Sequence, residues 1–389
     1  MQRISTSRLM AVAIMILFLY GMMASMLGTL MPGFHLTPSQ NGAIALAQAL
    51  GLMIASILAG PLIDNRGKRV GLMLGLVLII LSLIGLPLAQ GWVTVMALMF
   101  LFGLGGGTIV TGSNTLVSDL GENKRGSMLN FAHLFFGLGG LLTPLIAANL
   151  LNGNTAHLCY LVTALAVFTL LFDLSTAMPA PARERAFGWA ELGALEGKPV
   201  LFLLSLFVFL YVACEVGFWN WLPKELIAQG IEKNTALDIL SLGFALGMIG
   251  GRLLASRILL RFKASTVSLI CAALMIGTTW WSLVSTHAGM AWLAVFLAGV
   301  AMGPVFPSAM AMTGDAFPRM TGTCIGVVVT AGWVGTAASS WLIGAMAGND
   351  DHRLPRALLL IPVFATIMVV TGLLLRARSV RAPVAEVAG

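Results

Sequence analysis

The 389-residue sequence is 58% hydrophobic and only 10% charged, whereas ordinary soluble domains carry about 25% charged residues. So few ionisable groups cannot clothe a water-facing surface, which excludes a soluble globular protein. The formal net charge of +7 therefore has to be read by position before it is read as an affinity for nucleic acid.

A hydrocarbon core takes about 20 apolar residues per helix. Stretches of that kind fall near residues 9–31, 40–63, 69–90, 92–117, 127–150, 155–174, 199–222, 236–260, 265–286, 290–312, 321–346 and 355–376. The short alternating segments of a membrane β-barrel do not occur. The pattern predicts an all-α integral membrane protein with twelve transmembrane helices. The first span follows Arg3 and Arg8 like a signal peptide, but it is too long, has no small-residue cleavage site, and completes an even count; it is read as retained.

The cations sort by side. With a cytoplasmic N-terminus, seventeen Lys and Arg residues fall on the cytoplasmic side and four (Lys224, Lys233, Arg353, Arg356) on the other, and Arg252 lies within a span. This positive-inside bias predicts cytoplasmic termini and removes the need for a nucleic-acid partner; the expected location is a bacterial inner (plasma) membrane. The four cysteines (Cys159, Cys214, Cys271, Cys324) all fall inside spans, as packing residues rather than a disulfide or metal framework.

The second half of the chain echoes the first at an offset of 196. Gly21, Gly51, Gly103, Gly107, Asp119, Gly126 and Gly139 recur as Gly217, Gly247, Gly299, Gly303, Asp315, Gly322 and Gly335. Duplication of a six-helix unit is a common transporter plan. It predicts an N-terminal bundle over 1–174, a cytoplasmic linker over 175–198, and a C-terminal bundle with a short tail over 199–389. The linker is the one stretch of soluble composition; its Phe187 and Trp189 suit either an interfacial helix or a loose polar loop. The glycines four apart (103/107, 247/251, 299/303) read as close helix packing.

Residues 60–70 read GPLIDNRGKRV. This resembles the loop signature of the major facilitator superfamily between helices 2 and 3, with Asp64, Arg66, Gly67, Lys68 and Arg69 in its positions. A tight turn at Gly67 is expected to present cations to lipid headgroups, and Asp64 to pair with a basic group or a helix N-terminus. In the second half Gly251, Arg252, Arg257, Arg261 and Lys263 remain without the Asp. The stretches 111–144, 211–219 (YVACEVGFW) and 247–262 (GMIGGRLLASRILLRF) resemble helices 4–5, 7 and 8 of the fucose/galactose/glucose–proton symporter branch. The resemblance implies two six-helix bundles that rock about a midplane ligand site. That branch places working acids in helices 1 and 4. Here helix 1 has none, and the helix 4 position is Val110.

Among the acids, Glu215 alone lies well inside a span, one turn after Tyr211. An ionisable residue there is a candidate proton carrier or polar anchor; its alternative is a paired group in a packing interface. His133 is the second proton candidate, with a satisfied hydrogen-bond partner as its alternative. Gln48, Asn114 and Asn130 suit a polyhydroxylated ligand, since an amide both donates and accepts, or interhelical bonds. Tyr211, Asn220 and the mid-span Trp333 complete the substrate candidates. The tryptophans at 219, 221, 280 and 281 lie near span ends, as interface anchors do. Pro304 and Pro307 predict a bend in the tenth span. Asp119, near Lys124 and Arg125, and Asp315, near Arg319, read as cytoplasmic ion-pair latches; Asp64, Arg66, Lys68, Arg69 and Arg252 are the other gating candidates.

There is no Gly-x4-Gly-Lys-Ser/Thr loop, nucleophile elbow or zinc cluster, so neither an ATP-driven pump nor an enzyme is expected, and no cofactor. The sequence predicts a monomeric secondary or facilitative transporter of a small polar solute, a sugar by preference, by alternating access and with protons as the candidate coupling ion. The rivals are a drug or metabolite exporter of the same superfamily and a non-transporting sensor on the same fold.

Overall fold

The computed structural model describes residues 5–30, 34, 37–179, 199–347 and 353–381. Among them are twelve helices long and apolar enough to cross a membrane: Thr6–Leu30, Gln40–Arg66, Lys68–Leu88, Trp92–Leu120, Arg125–Asn149, Thr155–Ser175, Pro199–Ala228, Thr235–Ile258, Ala264–Val284, Ala288–Ala316, Thr321–Ala347 and Leu354–Arg378. They are named below as the first to twelfth spans. Helix dominates because a bilayer offers backbone groups no water, so each N–H and C=O must be paired within its own segment. The linker aromatics Phe187 and Trp189 lie outside the described residues.

Two compact units form: residues Met1–Phe187 with Phe317–Thr330, and residues Gly188–Ala316 with Ala331–Gly389. The eleventh span thus begins in the first unit and ends in the second.

Lipid tails are as apolar as leucine side chains, so helices in a bilayer associate through close packing rather than through the hydrophobic effect. The repeated glycines sit at those contacts. A Cβ on Gly51 would lie 2.3 Å from the Phe100 carbonyl oxygen; on Gly103, 2.2 Å from that of Gln48; on Gly107, 2.4 Å from that of Leu52. The second and fourth spans therefore touch backbone to backbone. Their counterparts Gly247, Gly299 and Gly303 make the same approach, at 2.2–2.4 Å from the carbonyls of Phe296, Phe244 and Met248, between the eighth and tenth spans. Gly21 and Gly139 join the first span to the fifth, and Gly217 and Gly335 join the seventh to the eleventh.

Prolines lie within several spans, and at two of them a side chain from another span takes up the freed carbonyl. Pro144 has no N–H for the Gly140 carbonyl four residues back; Ser25 of the first span donates its hydroxyl there at 2.7 Å. Where a bend was expected, the tenth span breaks into Ala288–Met302 and Val305–Ala316. Pro307 leaves the Gly303 carbonyl without its helical donor, and Arg252 Nε donates to it at 3.0 Å. Pro304 likewise frees the Val300 carbonyl, against which the backbone of Gly251 packs. The seventh span runs six residues beyond its expected end, through Pro223 to Ala228.

Gly107→Val would place a branched side chain where even a Cβ meets the Leu52 carbonyl; overpacking of this kind costs about 1–3 kcal/mol. Thermal unfolding in detergent is expected to show a clear drop for Gly107→Val, whereas Gly250→Ala, with nothing within 4 Å of its Cβ, leaves the midpoint unchanged or raised.

Candidate functional site

The 60–70 segment begins in the last turn of the second span. Gly67 turns the chain at φ 92°, a left-handed conformation that side chains disfavour, and caps the Ile63 carbonyl before the third span starts. Asp64, Lys68 and Arg69 around this turn then each engage a different helix.

Asp64 reaches the first turn of the eleventh span. Its Oδ1 accepts from the Gly322 N–H at 3.0 Å, and its Oδ2 from the Thr323 N–H at 2.8 Å and the Thr323 hydroxyl at 2.6 Å. A helix start leaves N–H groups unpaired and carries a partial positive charge, so a carboxylate satisfies both. The approach needs small residues: a Cβ on Gly322 would fall 2.7 Å from Asp64 Oδ1, one on Gly60 2.6 Å from the Gly322 carbonyl, and one on Gly326 2.3 Å from the Ser56 carbonyl. Of the two expected partners, Asp64 takes the helix N-terminus.

The cations depart from expectation. Lys68 and Arg69 were expected to face headgroups, and Asp119 to sit with Lys124 and Arg125. Instead Lys68 is 9% exposed and pairs with Asp119 of the fourth span, Nζ to Oδ2 at 2.7 Å. Arg125 turns its Nε to the Ser118 carbonyl at 2.9 Å, and Lys124 is exposed. Arg69 donates to the carbonyls of Asp173 and Thr176, capping the end of the sixth span, where the fully buried Asp173 carboxylate adds its charge. The reason is shared: helix ends and carboxylates at this membrane edge offer partners that headgroups would otherwise supply. Arg66 alone of the three is exposed, as are Asp315 and Arg319.

Inside the first unit, His133 Nε2 bonds Asn114 Oδ1 at 2.9 Å, while Asn114 Nδ2 donates to the Val110 carbonyl at 2.7 Å. The accepting amide oxygen requires the proton on Nε2. Both side chains are buried, Asn114 fully, and the bond ties the fourth span to the fifth. Asn130, one turn before His133, donates to the Gly126 carbonyl at 2.9 Å. Gln48 is buried with Oε1 unbonded among the described residues.

Inside the second unit, Tyr211, Glu215 and Arg252 come together. The fully buried Tyr211 hydroxyl interacts with both Glu215 and Arg252, and Glu215 with the Arg252 charge. Tyr211 makes no well-aligned hydrogen bond among the described residues. Glu215 is part-exposed, Arg252 buried. Trp333 is part-exposed on the eleventh span, next to Gly332, which packs on Val208 and Val212 of the seventh; Asn220 is exposed. The positions equivalent to Tyr211 and Glu215 in the first half are Met15 and Leu19, so this cluster belongs to one half only.

Sequence reasoning missed Thr323 and Asp173. Gly322 was visible through the offset from Gly126, but the hydroxyl beside it carried no pattern. Asp173 was placed at a helix end, and nothing in its neighbours announced burial.

Twelve apolar spans, glycine-sealed helix contacts repeated between halves, and ionisable groups held inside the spans define a helical membrane transporter. The chain belongs to the Major Facilitator Superfamily, whose profile matches residues 9–340; it is an integral membrane protein and not an enzyme. Among relatives, protein TsgA of Salmonella gallinarum is 25% identical over 340 residues, 86% of this chain and 84% of that protein. Among solved structures, the transporter FucP in the outward conformation superposes with a TM-score of 0.83 at 19% identity, over 94% of this chain and 98% of FucP; a variant of it is described as the E. coli fucose:proton symporter. The human organic anion transporter MFSD10 superposes with a TM-score of 0.79 at 17% identity, over 95% and 99% of the two chains.

The Lys68–Asp119 pair is part-exposed, so its coupling is expected to be about 0.5–1 kcal/mol. In a double-mutant cycle read by thermal unfolding, Lys68→Met and Asp119→Asn should each lower stability, and the second change should add little to the first.

Proposed function

We propose that the protein moves a small polar solute, a sugar by preference, across a bacterial inner membrane by alternating access, acting as a monomer with both termini in the cytoplasm. The observation that carries this reading is the Tyr211–Glu215–Arg252 cluster. It places a part-exposed carboxyl group within a span, and such groups mark substrate or proton paths because their insertion is costly. The positive-inside bias supports the orientation. The sugar preference is supported by the likeness to FucP, described as a fucose:proton symporter, and to a structure described as a proton:xylose symporter.

In this reading Glu215 carries the coupling proton. Ionised, it accepts from the Tyr211 hydroxyl and offsets the Arg252 charge; protonated, it does neither. Arg252 also holds the Gly303 carbonyl at the break of the tenth span, so the charge state at Glu215 bears on the geometry of that break. Gln48, Asn114, Asn130, Asn220, Tyr211 and Trp333 are the proposed substrate contacts, and His133 with Asn114 a second proton-sensitive pair. The halves 1–174 and 199–389, joined by 175–198, are the proposed moving parts. Asp64 is the latch, with Arg66, Lys68, Arg69, Asp119, Arg125, Arg252, Asp315 and Arg319 as its setting. Three charge-assisted bonds at about 1.5–3 kcal/mol each before strain and desolvation bias one state by an amount that ligand binding can reverse.

A second reading, an organic anion as cargo, is favoured by Arg252 as a buried cation and by the likeness to MFSD10. Proteoliposomes with an imposed pH gradient separate the two. Labelled monosaccharides should accumulate and sugar acids should not; the reverse supports the second reading, and flux of neither sinks both. Glu215→Gln should lose gradient-driven accumulation yet keep equilibrium exchange within a few-fold of wild type. Accumulation unchanged in that variant would remove Glu215 from the coupling step.

A further inference from the structure

At the end of the seventh span opposite residue 199, a second carboxylate is buried away from the cluster above. Glu225 is 2% exposed. Its Oε1 accepts from Gln229 Nε2 at 2.7 Å, and the same nitrogen donates to the Leu283 carbonyl at 2.6 Å. Glu225 Oε2 and Gln229 Oε1 are both buried and have no hydrogen-bond partner among the described residues. Gln229 thus bridges a carboxylate to the last turn of the ninth span, which ends at Val284. The seventh span ends at the same place, its last carbonyls taken by the backbone of Gln229, Gly230 and Ile231.

Two helix C-termini therefore converge on one buried carboxylate. The negative ends of both helix dipoles lie there, and among the described residues the group hydrogen-bonded to the Glu225 carboxylate is the neutral Gln229 amide. Lys224, next in sequence, is exposed. A buried carboxylate without a compensating charge is costly, and here the helix ends add to the cost. Every unbonded atom in the group is an oxygen acceptor, so the missing partner is a cation or a donor. One carboxylate matches one positive charge, whereas Ca²⁺ takes six to eight oxygen ligands and Mg²⁺ demands an octahedral shell that keeps several waters. The C-terminal ends of half-helices are a known way for transporters to hold Na⁺.

We propose that Glu225 Oε2 and Gln229 Oε1 bind a single Na⁺ ion at the paired ends of the seventh and ninth spans. The ion ties the two helices together at the membrane edge, away from the Glu215 cluster, and its binding does not depend on the cargo or on proton coupling.

The test needs no substrate. Thermal unfolding of the purified full-length protein, followed by tryptophan fluorescence, is compared in NaCl and in choline chloride at equal ionic strength. The midpoint should rise saturably with Na⁺ and stay flat with choline, as expected for a ligand that binds only the folded state. Glu225→Gln and, separately, Gln229→Leu should abolish the Na⁺-dependent rise while unfolding cooperatively in choline. Should either variant fail to fold, saturable binding of radioactive sodium to the wild-type protein decides. Identical midpoints in the two salts, a Na⁺ response retained in Glu225→Gln, or no saturable sodium binding would each overturn the proposal and leave a protonated or hydrated Glu225. Glu215→Gln should keep the full Na⁺ response, so failure of the transport reading and failure of this site are told apart.

Discussion

One helix belongs to both compact units, and a single carboxylate holds its beginning. The eleventh span starts in the first unit and continues in the second, and Asp64 receives two N–H groups and a hydroxyl at that start. A helix N-terminus inside a protein must find acceptors for its first N–H groups. Asp64 supplies them from the second span, and Gly60, Gly322 and Gly326 remove the side chains that would keep the two backbones apart. Lys68 and Arg69 are committed next door, to the fourth and sixth spans. One short turn thereby fixes the ends of several helices at a single membrane edge.

The same economy runs through both halves. Glycines at equivalent positions give backbone contact between the second and fourth spans and between the eighth and tenth, where packing replaces the hydrophobic effect. Prolines then loosen particular turns, and side chains from adjacent spans repair the loss. The repairs differ in kind. In the fifth span a neutral serine covers the Gly140 carbonyl; in the tenth a charged arginine covers that of Gly303. A charged repair is sensitive to other charges nearby, and Glu215 is close enough to matter. Within the spans the first half pairs Asn114 with His133, whereas the second gathers Tyr211, Glu215 and Arg252. Shared skeleton and divergent chemistry are what a duplicated fold allows when one copy takes on the charge work.

Much of this was legible in the chain itself. Twelve spans followed from apolar length, and the offset of 196 marked the very glycines that seal the helix contacts, because a backbone approach tolerates no other residue. The turn at Gly67 and the helix-terminus option for Asp64 were also readable. Partners far apart in sequence were not. Lys68 meets Asp119 and Arg69 meets Thr176 across about 50 and 100 residues, distances at which periodicity says nothing. Glu225 falls beyond the expected end of the seventh span, after Pro223, yet the helix runs on to Ala228. It passes through Pro223, since a proline near a span end forfeits one bond and neighbouring packing covers the loss. Burial of Asp173 and Glu225 is a property of the ends of other helices, which local sequence does not encode.

In the proposed cycle the Asp64 contact is a latch that opens, rather than a fixed brace. Cys324 lies beside Thr323 and is fully buried, so it serves as a reporter once Cys159, Cys214 and Cys271 are replaced. The direct measurement is the rate of maleimide labelling at Cys324 in membranes, with Asp64 intact and with Asp64→Asn. Slow labelling that quickens several-fold in the variant, with the protein still folded, is the predicted result. Equal rates in the two proteins would contradict it and leave Asp64 as a static part of the packing.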